Sequence, residues 1–362
     1  MSEKRVSDPN VTSRSGHHNA VALALLSAVL FGSSPPLAKL LLRDAAPQLL
    51  AGLLYMGSGL GLGMLWLIQR HRRREAPLTM RDAPWLGGAI ASGGVLAPLL
   101  LMLGLVRTTA SGASLLLNLE GVFTAMLAWF VFRENFDRRI AFGMLVIVAG
   151  GAVLSWEGRL AWGGLLGPLA VAGACLCWAI DNNLTQKVSA GDPVQITMLK
   201  GLVAGTVNVA LGLTLGDRLP TAAALGGALL LGFFSYGLSL VLFVGALRHL
   251  GTARTGAYFS IAPFVGAGIS LVLLREQPTA LLITGGLLMG IGVWLHLTER
   301  HEHLHAHETL DHTHVHFHDE HHRHAHDAHD PQRDPHSHPH RHEPLAHSHR
   351  HYPDIHHRHG HD

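Results

Sequence analysis

The stretch GVFTAMLAWFVFREN, Gly121 to Asn135, has a counterpart in the second half of the chain in PFVGAGISLVLLREQ, Pro263 to Gln277. Laying Gly121 on Pro263 places Ala125 on Ala267, Arg133 on Arg275 and Glu134 on Glu276. Continued further, the same offset lays Gly143 on Gly285, Leu145 on Leu287 and Gly150 on Gly292. Identities among small and apolar residues carry little weight, because such residues fill any close helix contact. The ArgGlu pair carries more, since charges that close an apolar run mark where a helix leaves the bilayer. The chain is therefore read as containing itself twice.

Around this pair, ten apolar runs are long enough to cross a bilayer: 19–42, 46–69, 83–106, 110–132, 140–156, 162–185, 194–215, 221–247, 256–274 and 278–297. A spanning helix needs about 20 residues, with about 17 tolerated. The runs predict an all-α membrane protein of ten transmembrane helices. It has a polar amino-terminal segment (1–18), a first five-helix repeat (19–156), a second (162–298) and a His-rich tail (299–362). Five helices per unit is an odd number, which forces the two halves into opposite orientation across the membrane.

Composition supports the division. With His neutral, residues 1–298 carry +8 and the tail carries −6, which together make the +2 of the whole chain. Charged residues are 14% of the chain, well under what a soluble domain carries, and they cluster between the apolar runs. The two cysteines, Cys175 and Cys177, both sit inside one run. A disulfide framework and a zinc ribbon are therefore excluded, and helical spacing turns the two side chains apart, so they read as small filler. An acidic tail and scattered basic loops exclude a nucleic-acid surface, which needs a contiguous positive face. The first run follows a polar lead without a small-residue cleavage site, so it is expected to be a retained span.

Orientation follows from the basic residues of short loops. With the amino terminus inside, inner loops carry 11 Lys and Arg and outer loops carry five. Both termini are thus expected to be cytoplasmic, in a multi-pass protein of the inner or plasma membrane. The seven Trp residues agree, all falling near span ends, where indole prefers the headgroup level.

Two five-helix units, with a small-residue fourth helix running into ValPheThrAla (Val122 to Ala125) and ending near Arg133 and Glu134, resemble the EamA-type permeases of the drug/metabolite transporter superfamily. The resemblance covers about residues 19 to 298. Glu120 and Gly121 depart from it, standing where such proteins commonly have an apolar residue and Pro; the second half keeps Pro263. The likeness implies secondary transport of a small solute across the membrane, with no catalysis and no cofactor.

Ionisable groups inside spans mark the candidate pathway, because each costs about 2.5 to 3.5 kcal/mol at helix centre. Glu120 lies mid-helix in the fourth span, beyond reach of either interface. It reads as a hydrogen-bonded neutral acid or as a proton or cation site. Asp181 and Lys200 lie at matched depth in adjacent antiparallel spans and are expected to pair, as a structural ion pair or a cytoplasmic gate. Asn182 and Asn208 add polar groups to the same region, with Asn118 and Asn183 nearby. Pro35 and Pro36 interrupt the first span by blocking bonds to the carbonyls of Phe31 and Gly32, and freed carbonyls must face protein or a wet cavity. Lys39, near the outer end of that span, is expected to snorkel. Gly59 with Gly63, and Gly286 with Gly290, have the spacing of close helix packing.

The tail holds 24 of the 29 His, mostly as HisXaaHis. It is too poor in apolar residues for a core and is predicted to be disordered without metal. In extended chain, alternate side chains point the same way, so His301, His303, His305, His307, His312, His314, His316, His318, His336, His338, His340 and His342 are candidate ligands. Imidazole suits Zn, Ni, Co or Cu(II). The expected partners are a small-molecule substrate, membrane lipid and divalent metal at the tail. Three functions compete: export of a small organic metabolite or drug, transport of a divalent transition metal such as Zn, Ni or Co, and a membrane-anchored metal buffer that transports nothing.

Overall fold

The computed structural model describes residues 9–69, 78–132, 138–156, 162–188, 192–298, 302–306, 310–316, 336–342 and 346–350. Up to residue 298 its elements are helical. In chain order they are α1 (Pro9–Gly32), α2 (Ser34–Leu41), α3 (Pro47–Gln69), α4 (Ala83–Ala89), α5 (Ala97–Arg107), α6 (Ala110–Leu116), α7 (Leu119–Phe132), α8 (Arg138–Leu154), α9 (Trp162–Gln186), α10 (Pro193–Thr214), α11 (Ala222–Gly232), α12 (Ser239–Phe259), α13 (Ala262–Leu273) and α14 (Ala280–Leu297). Among the described residues, seven helical stretches are long and apolar enough to cross a membrane, and three shorter apolar helices, Arg139–Leu154, Ala262–Leu273 and Ala280–Leu295, accompany them.

Several spans are built from pieces, and the sequence explains where they divide. The first breaks between α1 and α2 at Ser33, ahead of Pro35 and Pro36, which lack the N–H that a continuing helix needs. The span from Ala83 to Arg107 contains a π-helical segment, Ile90–Leu96. A second π segment, Phe233–Leu238, lies at the corresponding place of the second half, between α11 and α12. The break between α6 and α7 at Leu117 and Asn118 likewise has its counterpart between α12 and α13 at Ser260 and Ile261. The two halves thus share irregularities as well as helices, at nearly the offset of the ArgGlu repeat.

The chain also reverses within α12. The rings of Phe243 and Phe259 stand 4.9 Å apart. On one straight helix the rise between these two positions would separate them by about 24 Å. The segment therefore folds back on itself between these two rings, as the chain does in the first half where α5 gives way to α6.

Contacts between helices follow the same pairing. α3 lies along α10, α8 along α14, α1 along α12 and α5 along α9. The first two contacts depend on glycine. A Cβ on Gly59 would sit 2.5 Å from the Leu202 nitrogen, and one on Gly285 would sit 2.5 Å from Leu154 Cγ and 3.0 Å from the Gly150 carbonyl oxygen. Gly59 is thus a close-packing residue, but Gly63 faces only Met198 at 3.6 Å or more. In α14 the tight positions are Gly285 and Gly292, whereas Gly286 and Gly290 line an open groove with Phe264 and Trp294. In α14 the four-residue rule named the right helix and the wrong face, because glycine spacing does not say which side a neighbour approaches from.

Leu49, Leu50, Leu54, Leu101, Met102, Ile147 and Met289 fill the centre with almost no exposure. Large apolar residues such as Met64, Phe142, Leu145, Val272 and Leu287 face outward. That distribution suits a lipid surrounding, where the exterior is as apolar as the core and close packing holds helices together.

In the tail, Glu302–Ala306 pairs antiparallel with Ala346–Arg350, and Leu310–His316 pairs with His336–His342. These strands depart from the expectation of a wholly disordered tail. An alternating HisXaaHis sequence has the period of an extended strand. The register sets His303 opposite His349, His305 opposite His347, His312 opposite His340, His314 opposite His338 and His316 opposite His336. His301, His307 and His318 lie outside the described residues, as do Arg133 and Glu134.

Candidate functional site

α9 carries the largest share of the polar groups. Trp178, Asp181 and Thr185 recur at spacings of three and four, so they share one face of the helix. Asn182, one position on from Asp181, is turned about 100° away and addresses a different neighbour.

On the first face, Lys200 of α10 donates to both Asp181 carboxylate oxygens, at 2.5 and 2.7 Å. Thr185 closes the triangle, donating to Asp181 Oδ1 at 2.8 Å and accepting from Lys200 at 3.2 Å. Asp181 and Lys200 side chains are 6% and 15% exposed, so the pair stands largely out of contact with solvent. Asp181 also abuts Gly93 in the first π segment so closely that any Cβ there would overlap its carboxylate. Glycine at 93 is what lets the pair, formed inside the second half, touch the first.

The π segment frees carbonyls from the regular ladder, and polar side chains collect them. The Gly93 carbonyl accepts from Tyr55 Oη at 2.7 Å and from Trp178 Nε1 at 3.0 Å. Asn208 Nδ2 donates to the Gly94 and Val95 carbonyls, both at 3.3 Å, while its Oδ1 accepts from Gln48 at 2.8 Å. Buried Asn208 is thus occupied in tying α10 to the π segment and to α3, apart from Lys200.

On the other face, Asn182 Nδ2 donates to Glu120 Oε1 at 2.8 Å, joining α9 to α7. Glu120 is half-buried and Asn182 exposed, although both lie well inside the length of their spans. Glu120 Oε2 has no hydrogen-bond partner among the described residues. An acid with one oxygen held and one open can accept a proton or a cationic group. Cys175, buried nearby on α9, donates weakly to the Leu116 carbonyl at 3.6 Å, and Asn118 turns back on the Leu115 carbonyl at 2.8 Å.

Pro35 and Pro36 are buried at the α1–α2 break and do not join this group. The break is sealed instead: Gly32 lies against the Ala262 backbone, and Gly266 against the Gly32 carbonyl and Ser114. Besides that of Thr124, two hydroxyls, of Ser92 and Ser235, are buried without a partner among the described residues. Each occupies the third position of its π segment, so the two stand at equivalent places in the two halves.

The sequence pointed to Glu120, Asp181, Lys200, Asn182 and Asn208, and the structure brings the first four together around one turn of α9. Thr185 and Trp178 were readable from their spacing to Asp181. Tyr55 and Gln48 were not, since each looks like an ordinary span residue until α3 is laid against α5 and α10. Lys39, expected to snorkel, turns its ammonium onto the carbonyls of Leu105 and Thr108 at the end of α5, the latter at 2.7 Å.

Known proteins resemble the chain in keeping with this architecture. The model of the EamA-like transporter family matches twice, at residues 18–156 and 165–298. An uncharacterized transporter of Methanothermobacter thermautotrophicus is 30% identical over 290 residues, covering 75% of this chain and 84% of its own. A probable amino-acid metabolite efflux pump of Salmonella typhimurium is 28% identical over 296 residues, covering 76% and 93%. A solved crystal structure shares the fold, with TM-score 0.57 at 17% identity over 76% of this chain and 95% of that one. With both helical halves matched and the polar groups gathered inside them, this chain belongs to the EamA-like transporter family and is a multi-pass membrane transporter.

Proposed function

We propose that the protein is a secondary active exporter of a small organic metabolite or drug, with Glu120 as the site where a coupling ion or a substrate cation binds. It crosses the cell membrane ten times, with both termini cytoplasmic and the two repeats inverted. The observation that carries this reading is the Glu120 and Asn182 contact. It leaves one carboxylate oxygen open beside an ion pair that neutralises itself. An acid within a span is expensive to insert, and nothing in packing alone requires it there. The Salmonella relative, a probable amino-acid metabolite efflux pump, supports export.

Metal cargo is the weaker reading. Among the described residues no group of three or more His, Cys, Asp or Glu is arranged to hold an ion. The spans offer isolated carboxylates and amides rather than the imidazole or thiolate set that a transition metal selects. The tail acts as a cytosolic buffer or sensor for Zn, Ni, Co or Cu(II), beside the transport function.

Flux in reconstituted vesicles, measured across a panel of metabolites and metals with an imposed proton gradient, tests the proposal. Uptake of an organic solute that Glu120→Gln abolishes and tail deletion after Arg300 leaves intact is the expected result. Flux of metal alone, lost with the tail at low metal concentration, would reject it.

A further inference from the structure

The corner between α5 and α6 is held by charges that come from elsewhere in the chain. Where one helix ends and the next begins, backbone acceptors and donors lack intrahelical partners. Lys39, on α2 of the first repeat, donates to the Leu105 and Thr108 carbonyls at the end of α5. Glu276, on the connection between α13 and α14 of the second repeat, accepts from the Ala110 and Ser111 nitrogens at 2.7 and 2.9 Å. Thr109 Oγ1 takes the next donor, the Gly112 nitrogen, at 3.1 Å. The cation thus sits on the negative end of one helix and the anion on the positive end of the next, and the two charges attract one another across the corner.

Glu276 is delivered by strain. Arg275, the residue before it, has φ of 54°, the only positive value at a non-glycine residue among the described residues. Such a conformation is sparsely populated and persists where surrounding contacts hold it. Here it turns the chain leaving α13 so that the carboxylate of Glu276 faces α6.

The clasp also crosses the boundary between repeats. One turn below it, Ser114 of α6 is fully buried, and its hydroxyl donates to the Ala110 carbonyl at 2.7 Å. A Cβ on Gly266 of α13 would lie 2.7 Å from that hydroxyl. The repeats therefore meet directly beneath the two charges. The second repeat is built differently at the matching place, where the offset that lays Gly121 on Pro263 puts Asp181 in the position of Lys39. Asp181 is committed to Lys200 within its own half.

We propose that Lys39 and Glu276 form an outer gate: their grip on the α5–α6 corner seals the outer end of the repeat interface, and its release is a step of the transport cycle. The inference rests on the proposed transport function and orientation. It makes both residues positioning residues, acting through the corner rather than on the solute.

Thiol accessibility in the full-length protein tests this, with Cys175 and Cys177 replaced by Ala. Ser114→Cys reports from beneath the clasp, Thr197→Cys from buried α10 near the opposite face, and Asp217→Cys marks the outer surface. A membrane-impermeant thiol reagent added outside should label Asp217→Cys at once and Ser114→Cys slowly. Adding Glu276→Ala or Lys39→Met should speed labelling of Ser114→Cys by about tenfold, since charge-assisted bonds are lost at the corner. Labelling of Thr197→Cys from the inside should stay unchanged. Glu276→Gln, which keeps one acceptor oxygen, should fall between and serves where the Ala variant fails to insert. Unchanged Ser114→Cys labelling, or an equal rise at both reporters, would show a structural staple and overturn the gate. Labelling of Asp217→Cys only from inside would overturn the orientation, and with it the assignment of the clasp to the outer face.

Discussion

Two charged groups within the helical halves are built on different plans. The pair on α9 and α10 joins one side chain to another inside a single repeat, with Thr185 completing the set. The clasp on α5 and α6 joins side chains to backbone ends and draws its two charges from different repeats. The difference has an energetic consequence. Removing one member of the first group leaves an uncompensated charge in an apolar surrounding. Removing one member of the second leaves backbone groups at a helix corner without one partner, at the moderate cost of a lost hydrogen bond. The pair on α9 and α10 is therefore suited to hold its charges fixed, and the clasp, under the proposed gating, to open and close.

The greatest loss is expected at the Asp181 and Lys200 pair. Asp181→Asn or Lys200→Met alone should cost about 3 to 5 kcal/mol of stability or prevent insertion, and the double change should cost clearly less. A double-mutant cycle followed by thermal unfolding in detergent checks it. Additive losses would undo the contrast with the clasp by showing that the two charges do not depend on each other. Tyr55→Phe should be milder, about 1 kcal/mol, because the Gly93 carbonyl keeps its bond from Trp178. The least change is expected at the second π segment. Ser235→Ala removes a buried hydroxyl that has no partner among the described residues. It should leave the melting temperature unchanged or slightly raised, and a loss above about 1 kcal/mol would mean that the hydroxyl is satisfied in the folded protein.

What was legible in advance follows the same division. The two-repeat helical plan and the pairing of Asp181 with Lys200 were readable, because apolar length and a costly buried charge are both linear properties of the chain. Side-chain pairs at matched depth were readable for the same reason. The clasp was not. Nothing in the sequence around Lys39 distinguishes a lysine that reaches outward from one that turns onto a neighbouring helix end. Glu276 was noticed as a repeat marker and not as a cap. The π segments were invisible as well, since the glycines and serine in IASGGVL read as ordinary packing residues. Their correspondence with FFSYGL rests on shared backbone geometry, with Ser at the third position and Gly at the fifth the only residues in common.

Glu120 is the residue on which the functional reading turns, and a single pairwise measurement addresses it. For the organic solute that the vesicle panel identifies, flux driven by a proton gradient is measured for the wild-type protein and for Glu120→Gln, alongside solute exchange without a gradient. Gradient-driven flux should disappear in the variant while its thermal stability stays close to wild type, because Gln keeps the hydrogen bond with Asn182 and loses only the titratable charge. Undiminished proton-driven flux in Glu120→Gln would contradict this and remove Glu120 from the mechanism.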